Sequence, residues 1–169
     1  MEVQFENRYF PNDKMLLEYI SKIICKKQKI MFTVLSVLAC AEIAVVSYRG
    51  IYLKIVWLAL LGVILLASLA GVFLNPILVL RQVKENAKRL HNGRECESAI
   101  SFGNNIALSE GTVSFTIEYS QIIKIHQLKH SYVLMFGKRS AIIVSPEHFT
   151  VGNFEDFKAF IAQKTGIIK

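Results

Sequence analysis

IMFTVLSVLACAEIAVVSY (Ile30–Tyr48) and IVWLALLGVILLASLAGVFL (Ile55–Leu74) decide how this chain reads. The first run has 19 residues and one charge, Glu42; the second has 20 and none. Crossing a hydrocarbon layer of about 30 Å takes roughly 20 helical residues, so each run is long enough to span a membrane. A chain of 169 residues has too little other structure to bury two such helices on all sides. The sequence therefore predicts a transmembrane helical hairpin over residues 30–80, with spans 30–48 and 55–74 and a tight turn at Arg49-Gly50.

The flanks set the expected orientation. Lys22, Lys26, Lys27 and Lys29 precede the first span, and Arg81, Lys84, Lys88 and Arg89 follow the second. Between the spans stand only Arg49 and Lys54. The positive-inside rule puts both termini in the cytoplasm and the turn outside, a multi-pass arrangement in the cell membrane. Tyr48, Tyr52 and Trp57 suit the interface near the turn. Asn75-Pro76 is expected to bend or end the second helix.

Glu42 sits where a charge costs roughly 2.5–3.5 kcal/mol on insertion scales. With the turn centred at Arg49-Gly50, Glu42 lies about 11 Å from it along the axis and Lys54 about 7 Å. The expectation is that Glu42 pairs with Lys54 across the hairpin or is protonated. A proton or ion relay needs more polar groups than Ser68 and Asn75 in the second span supply, so pairing is the favoured reading.

Residues 1–29 read as a short strand, EVQFENRYF, followed by an amphipathic helix. Asn12 or Asp13 suits its start, and Leu16, Leu17, Ile20, Ile23 and Ile24 form one apolar face. Residues 81–94 read as a helical extension and linker. From residue 95 onward the period changes to two. TVSFTIEY (Thr112–Tyr119) alternates cleanly, and other strand candidates are Glu97–Phe102, Ile106–Ser109, Gln121–Leu128, Tyr132–Phe136 and Ala141–Val144. A last helix starts at Asn153 and ends at Lys164–Gly166, with Phe154, Phe157, Phe160 and Ile161 in one stripe. The expected fold is a two-helix hairpin plus an α+β cytoplasmic domain over 95–169, its antiparallel strands forming a split barrel like that of pleckstrin-homology domains, capped by the last helix.

The run AISFGNNIALSEGTVSFTIEYSQIIKIHQLKHSYVLMFGKRSAIIVSPEHFTVGNFEDFKAFI (Ala99–Ile161) resembles the bacterial YcxB-like family. Its F-x-x-N-I opening, Y-S-Q-I-I-K-I middle and closing F-x-x-F-x-x-F-I helix carry the likeness. The order of a short N-terminal segment, two adjacent spans and this domain also fits. The resemblance implies an integral membrane protein with a cytoplasmic pleckstrin-like domain, and supplies no catalytic residue.

The chemistry is sparse. The net charge of +7 flanks the apolar centre, which suits a membrane border better than a nucleic-acid groove. Cys25, Cys40 and Cys96 show no C-x-x-C spacing. His126 and His130 fall in a strand and its turn, with no third ligand, so no metal and no cofactor is expected. No Walker, dinucleotide, G-x-S-x-G or H-E-x-x-H motif occurs, and an enzyme is not expected. The leading expectation is a membrane-anchored binding or regulatory protein with a protein partner. The alternatives are anionic-lipid sensing through Lys26, Lys27, Lys29, Arg81, Lys84, Lys124, Lys129, Lys138 and Arg139, or a homo-oligomeric transport component using the hairpin with Glu42.

Overall fold

The computed structural model describes residues 3–49, 54–138 and 140–167, without the side chains of Arg49 and Lys54. Two long apolar helices are followed by antiparallel sheets and a C-terminal helix. The chain divides into two compact units: residues 20–82, and residues 1–19 together with 83–169.

In the first unit, a π-helical turn (Ile20–Ile24) leads through the buried Cys25 into α2 (Lys26–Arg49). Helix α3 (Lys54–Leu90) begins here and runs on into the second unit. Both α2 and α3 are long and apolar enough to cross a membrane. The less exposed side of α2 carries Phe32, Ser36, Ala39, Ile43 and Val46, a 4-3-4-3 spacing that forms a single helical seam. Along that seam Ser36 Oγ and Ser68 Oγ share a 2.7 Å hydrogen bond, and Asn75 Nδ2 donates to Gln28 Oε1 at 2.9 Å. A Cβ on Gly71 would lie 2.8 Å from the Phe32 ring, so the small residue permits the close approach. These contacts make α2 and α3 antiparallel and fix their register.

The sequence leaves open whether Asn75-Pro76 bends or ends the second helix. Helix α3 continues through Pro76, which is buried, rather than ending there. Continued toward the turn, the register sets Glu42 level with Leu61 and Gly62, roughly 11 Å along the axis from Lys54. The expected Glu42–Lys54 pair involves a side chain outside the described residues; the Glu42 side chain is exposed.

The second unit holds eight strands among the described residues. β1 (Phe5–Tyr9), β2 (Ser98–Phe102), β3 (Ile106–Glu110), β4 (Val113–Ile117) and β8 (Phe149–Val151) form one sheet in the order β4-β3-β2-β1-β8. β5 (Lys124–Gln127), β6 (Tyr132–Met135) and β7 (Ala141–Val144) form another. All pairings are antiparallel, and no closed barrel is seen among the described residues. The N-terminal strand therefore lies between β2 and β8, with Phe5 opposite Phe102 and Tyr9 opposite Ser98. Asn7 and Tyr9 tie the two sheets together. Asn7 Nδ2 donates to the Ser145 carbonyl at 2.7 Å, and Asn7 Oδ1 accepts from the Ser145 amide at 3.0 Å. The Tyr9 hydroxyl donates to the Ile143 carbonyl.

Helix α1 (Asp13–Tyr19) starts on Asn12, whose side chain accepts from the Met15 amide at 2.9 Å. The Glu18 carboxylate accepts from the Lys129 and His130 amides, holding α1 to the β5–β6 turn. Helix α4 (Phe154–Thr165) is capped by Asn153, which accepts from the Asp156 amide at 2.9 Å, and closed by Gly166 in the left-handed region. Its Phe157 is fully buried against Phe102, Phe149, Phe5 and Tyr132, and Ile161 beside it is equally buried.

Candidate functional site

The end of α3 builds the most developed site of the second unit. The Gly93 amide donates to the Lys88 carbonyl at 2.7 Å, with Asn92 and Gly93 both at positive φ. This is the six-to-one bond of a Schellman stop. It folds the chain back, so that Arg94, Glu95 and Cys96 return beside the last turn of the helix. The sequence HNG marks a turn, but not the side to which it brings the chain.

Between that helix end, the Phe10-Pro11 corner, α1 and the sheet lies a cavity of about 290 Å³. Its apolar walls are Met15, Leu16, Val83, Ala87, Leu108 and Ile143. Lys84, Lys88 and Arg94 bring cations to it, and Glu95 and Glu110 bring carboxylates. Lys84 is engaged, with its Nζ 2.5 Å from Asp13 Oδ1. Lys88 and Arg94 make no ion pair among the described residues. The Tyr9 hydroxyl, also in the wall, is held well above the ordinary phenol range by burial, with the Glu110 carboxylate adding to it. It stays protonated and donates to Ile143.

His91 closes the deep end. Its side chain is 4% exposed and its Nε2 lies 3.7 Å from Glu110 Oε1. A Cβ on Gly111 would stand 2.7 Å from Cys96 Sγ and 2.9 Å from His91 Nδ1, and Gly111 has φ +59°. The β3–β4 turn thus presses on the thiol and the imidazole, and only glycine fits. Gly111→Ala is expected to cost about 1–3 kcal/mol, as strained backbone of this kind does. A denaturation midpoint lowered accordingly is the check; an unchanged midpoint would mean that the turn relaxes freely.

Thiol, imidazole and carboxylate are close together here, yet among the described residues no group of three such ligands could hold a metal. A second close pair, Ser145 Oγ and His148 Nδ1 at 2.7 Å, spans three residues of the β7–β8 turn. The His148 amide also donates to the Ser145 carbonyl at 3.3 Å, so the pair reads as a turn closure.

The cations singled out from the sequence are scattered. Lys84 lines the cavity. Lys26, Lys27 and Arg81 are exposed on α2 and α3, and Lys29 Nζ donates to Ser21 Oγ at 2.6 Å. Lys124 stands opposite Met135, at the end of β5 near the β6–β7 turn that carries Lys138. Lys129 is in the β5–β6 turn at the other end of the same hairpin, a strand length of about 13 Å away at 3.3 Å per residue. Arg139 lies outside the described residues. The residues that sequence reasoning missed are Arg94, His91 and Cys96, which no spacing rule connects to Met15 or Leu108.

No curated protein and no solved structure matches the chain significantly. Residues 103–161 match the family model described as YcxB-like protein. The match runs from the β2–β3 turn into α4 and covers less than half of the chain. It includes Leu108, Glu110, Ala141 and Ile143 of the cavity wall, but not Lys88, His91 or Arg94. The C-terminal part of this chain carries a YcxB-like domain.

Proposed function

We propose that the chain is a membrane-anchored binding or regulatory protein, whose YcxB-like part docks a protein partner at the cytoplasmic membrane face. Anchoring is supported by the surface of α2 and α3. Leu66 and Phe73 are each 69% exposed and Val63 is 64% exposed, which suits lipid and not water. A pleckstrin-like split barrel is supported by two antiparallel sheets stitched by Asn7 and Tyr9, with α4 packed on their aromatic residues.

The observation that carries partner binding is the free edge of β4. Among the described residues this strand ends its sheet and pairs only with β3. From Val113 to Ile117 it holds no charge and no proline, the residues that usually protect an edge. Phe115 is 38% exposed beside it. An extended partner segment with alternating apolar residues could add to β4 by main-chain hydrogen bonds, with Phe115 as a side-chain contact. Lipid sensing has less support, because Lys124 and Lys138 lie at the other end of their hairpin from Lys129.

The test is a photo-cross-linking residue at Ser114 or Thr116, irradiated in native membranes. One protein partner captured in stoichiometric yield, and lost in Ser114→Pro, is the expected result. Adducts only to lipid or to a second copy of the chain would overturn the reading.

A further inference from the structure

We infer that the cavity at the end of α3 is a binding site for a small single-chain amphiphile with an anionic head, held by Lys88 and Arg94. At about 290 Å³ the cavity falls just below the range of ligand pockets, roughly 300–1,000 Å³. That suits one short apolar chain and not a two-chain lipid. The walls from Met15, Leu16, Val83, Ala87, Leu108 and Ile143 offer such a chain hydrocarbon on several sides. An apolar space of this kind gives water few partners and favours an apolar occupant.

The polar groups choose the head. Lys84 is taken by Asp13, and Glu110 faces the buried His91. Lys88 and Arg94 remain, both exposed to solvent, as is the opposing Glu95. The Schellman stop turns the chain back before Arg94, and Lys88 and Arg94 both line this cavity, which makes them the two cations available to one head group. A guanidinium grips a carboxylate or phosphate through two parallel hydrogen bonds, and an ammonium adds a point charge. A free inorganic anion would leave the walls uncovered, and an alcohol would leave the cations without a counter-charge. Carboxylate and phosphate share this chemistry. The amphiphile comes either from the bilayer, as a fatty acid or lysolipid, or from solution.

The experiment uses the full chain in nanodiscs of neutral phosphatidylcholine, titrated calorimetrically with decyl phosphate against empty nanodiscs. Saturable one-to-one binding is expected, with decanol and inorganic phosphate at least tenfold weaker. The double variant Lys88→Ala, Arg94→Ala should weaken decyl phosphate tenfold or more while keeping its unfolding midpoint. Either side chain alone should give a smaller loss. If the double variant does not fold, Lys88→Gln carries the same comparison. Decanol binding as tightly as decyl phosphate, or no loss in the variants, would overturn the site. Mass spectrometry of the chain as purified then separates the sources. A single-chain anionic lipid present on the wild type and missing from the variant supports a bilayer source. Saturable binding of decyl phosphate with no co-purified lipid supports a soluble one.

Discussion

Phe157→Ala is expected to destabilise the sheet-bearing unit by about 3–5 kcal/mol, the usual cost of deleting a fully buried aromatic ring. Phe157 has no exposed surface. Its ring lies 4.6 Å from that of Phe102, 5.0 Å from Phe149, 5.7 Å from Phe5 and 5.9 Å from Tyr132, centroid to centroid. Those four rings come from both sheets, so the void cannot be closed by shifting one element. Domains are stable by only about 5–15 kcal/mol, so a loss of this size removes a large share of the total. The single tryptophan, Trp57, is in α3 outside this unit, and its fluorescence is a poor probe. Hydrogen exchange of the β2 and β6 amides is the appropriate readout. Phe160→Ala makes the control: Phe160 is only partly buried, and its loss should cost clearly less. Alanine is the better helix former at both positions, so equal losses from the two would mean that the depth of ring burial does not set the cost.

How much of this was readable in the sequence follows from the range of each interaction. The two apolar runs and the caps of α4 are local signals. Asn153 bonds to a residue three positions away, and Gly166 takes the left-handed conformation that ends the helix. The alternation in β4 is equally local, and the strand appears at Val113–Ile117. Strand β8 is only three residues long, too short to show a period, and the sequence reading passes over it. The place of β1 is invisible for another reason. Its neighbours, β2 and β8, are about ninety and more residues away, and nothing in EVQFENRYF specifies them. The cavity inherits that difficulty. Tyr9 and Met15 meet Leu108 and Ile143 only after β1 has found its sheet, so its lining is a product of tertiary pairing. Lys84 was visible as a flanking cation, but its pairing to Asp13 was not.

Asn7→Ala is the second large effect expected, and it probes that tertiary pairing directly. Asn7 is completely buried, and its one side chain satisfies both the amide and the carbonyl of the buried Ser145. Alanine would strand the Ser145 amide away from water and leave the Ser145 carbonyl only its longer bond from the His148 amide. An unsatisfied buried polar group costs about 1–3 kcal/mol, so the substitution should cost more than an ordinary hydrogen bond contributes. Asn7→Asp is an informative companion. It keeps an acceptor for the Ser145 amide but turns an anion toward the Ser145 carbonyl, so it should be no better than alanine at neutral pH and should recover as the pH falls and the carboxyl protonates. Tyr9→Phe removes only the hydroxyl that donates to Ile143, leaving one acceptor unpaired, and should cost less than Asn7→Ala. If β1 stitches the two sheets through these side chains, the double variant will loosen β7 more than the two single losses combined, seen as faster amide exchange over Ala141–Val144. Simple additivity, with β7 protected, would instead mean that the aromatic core around Phe157 holds the sheets together without the stitch.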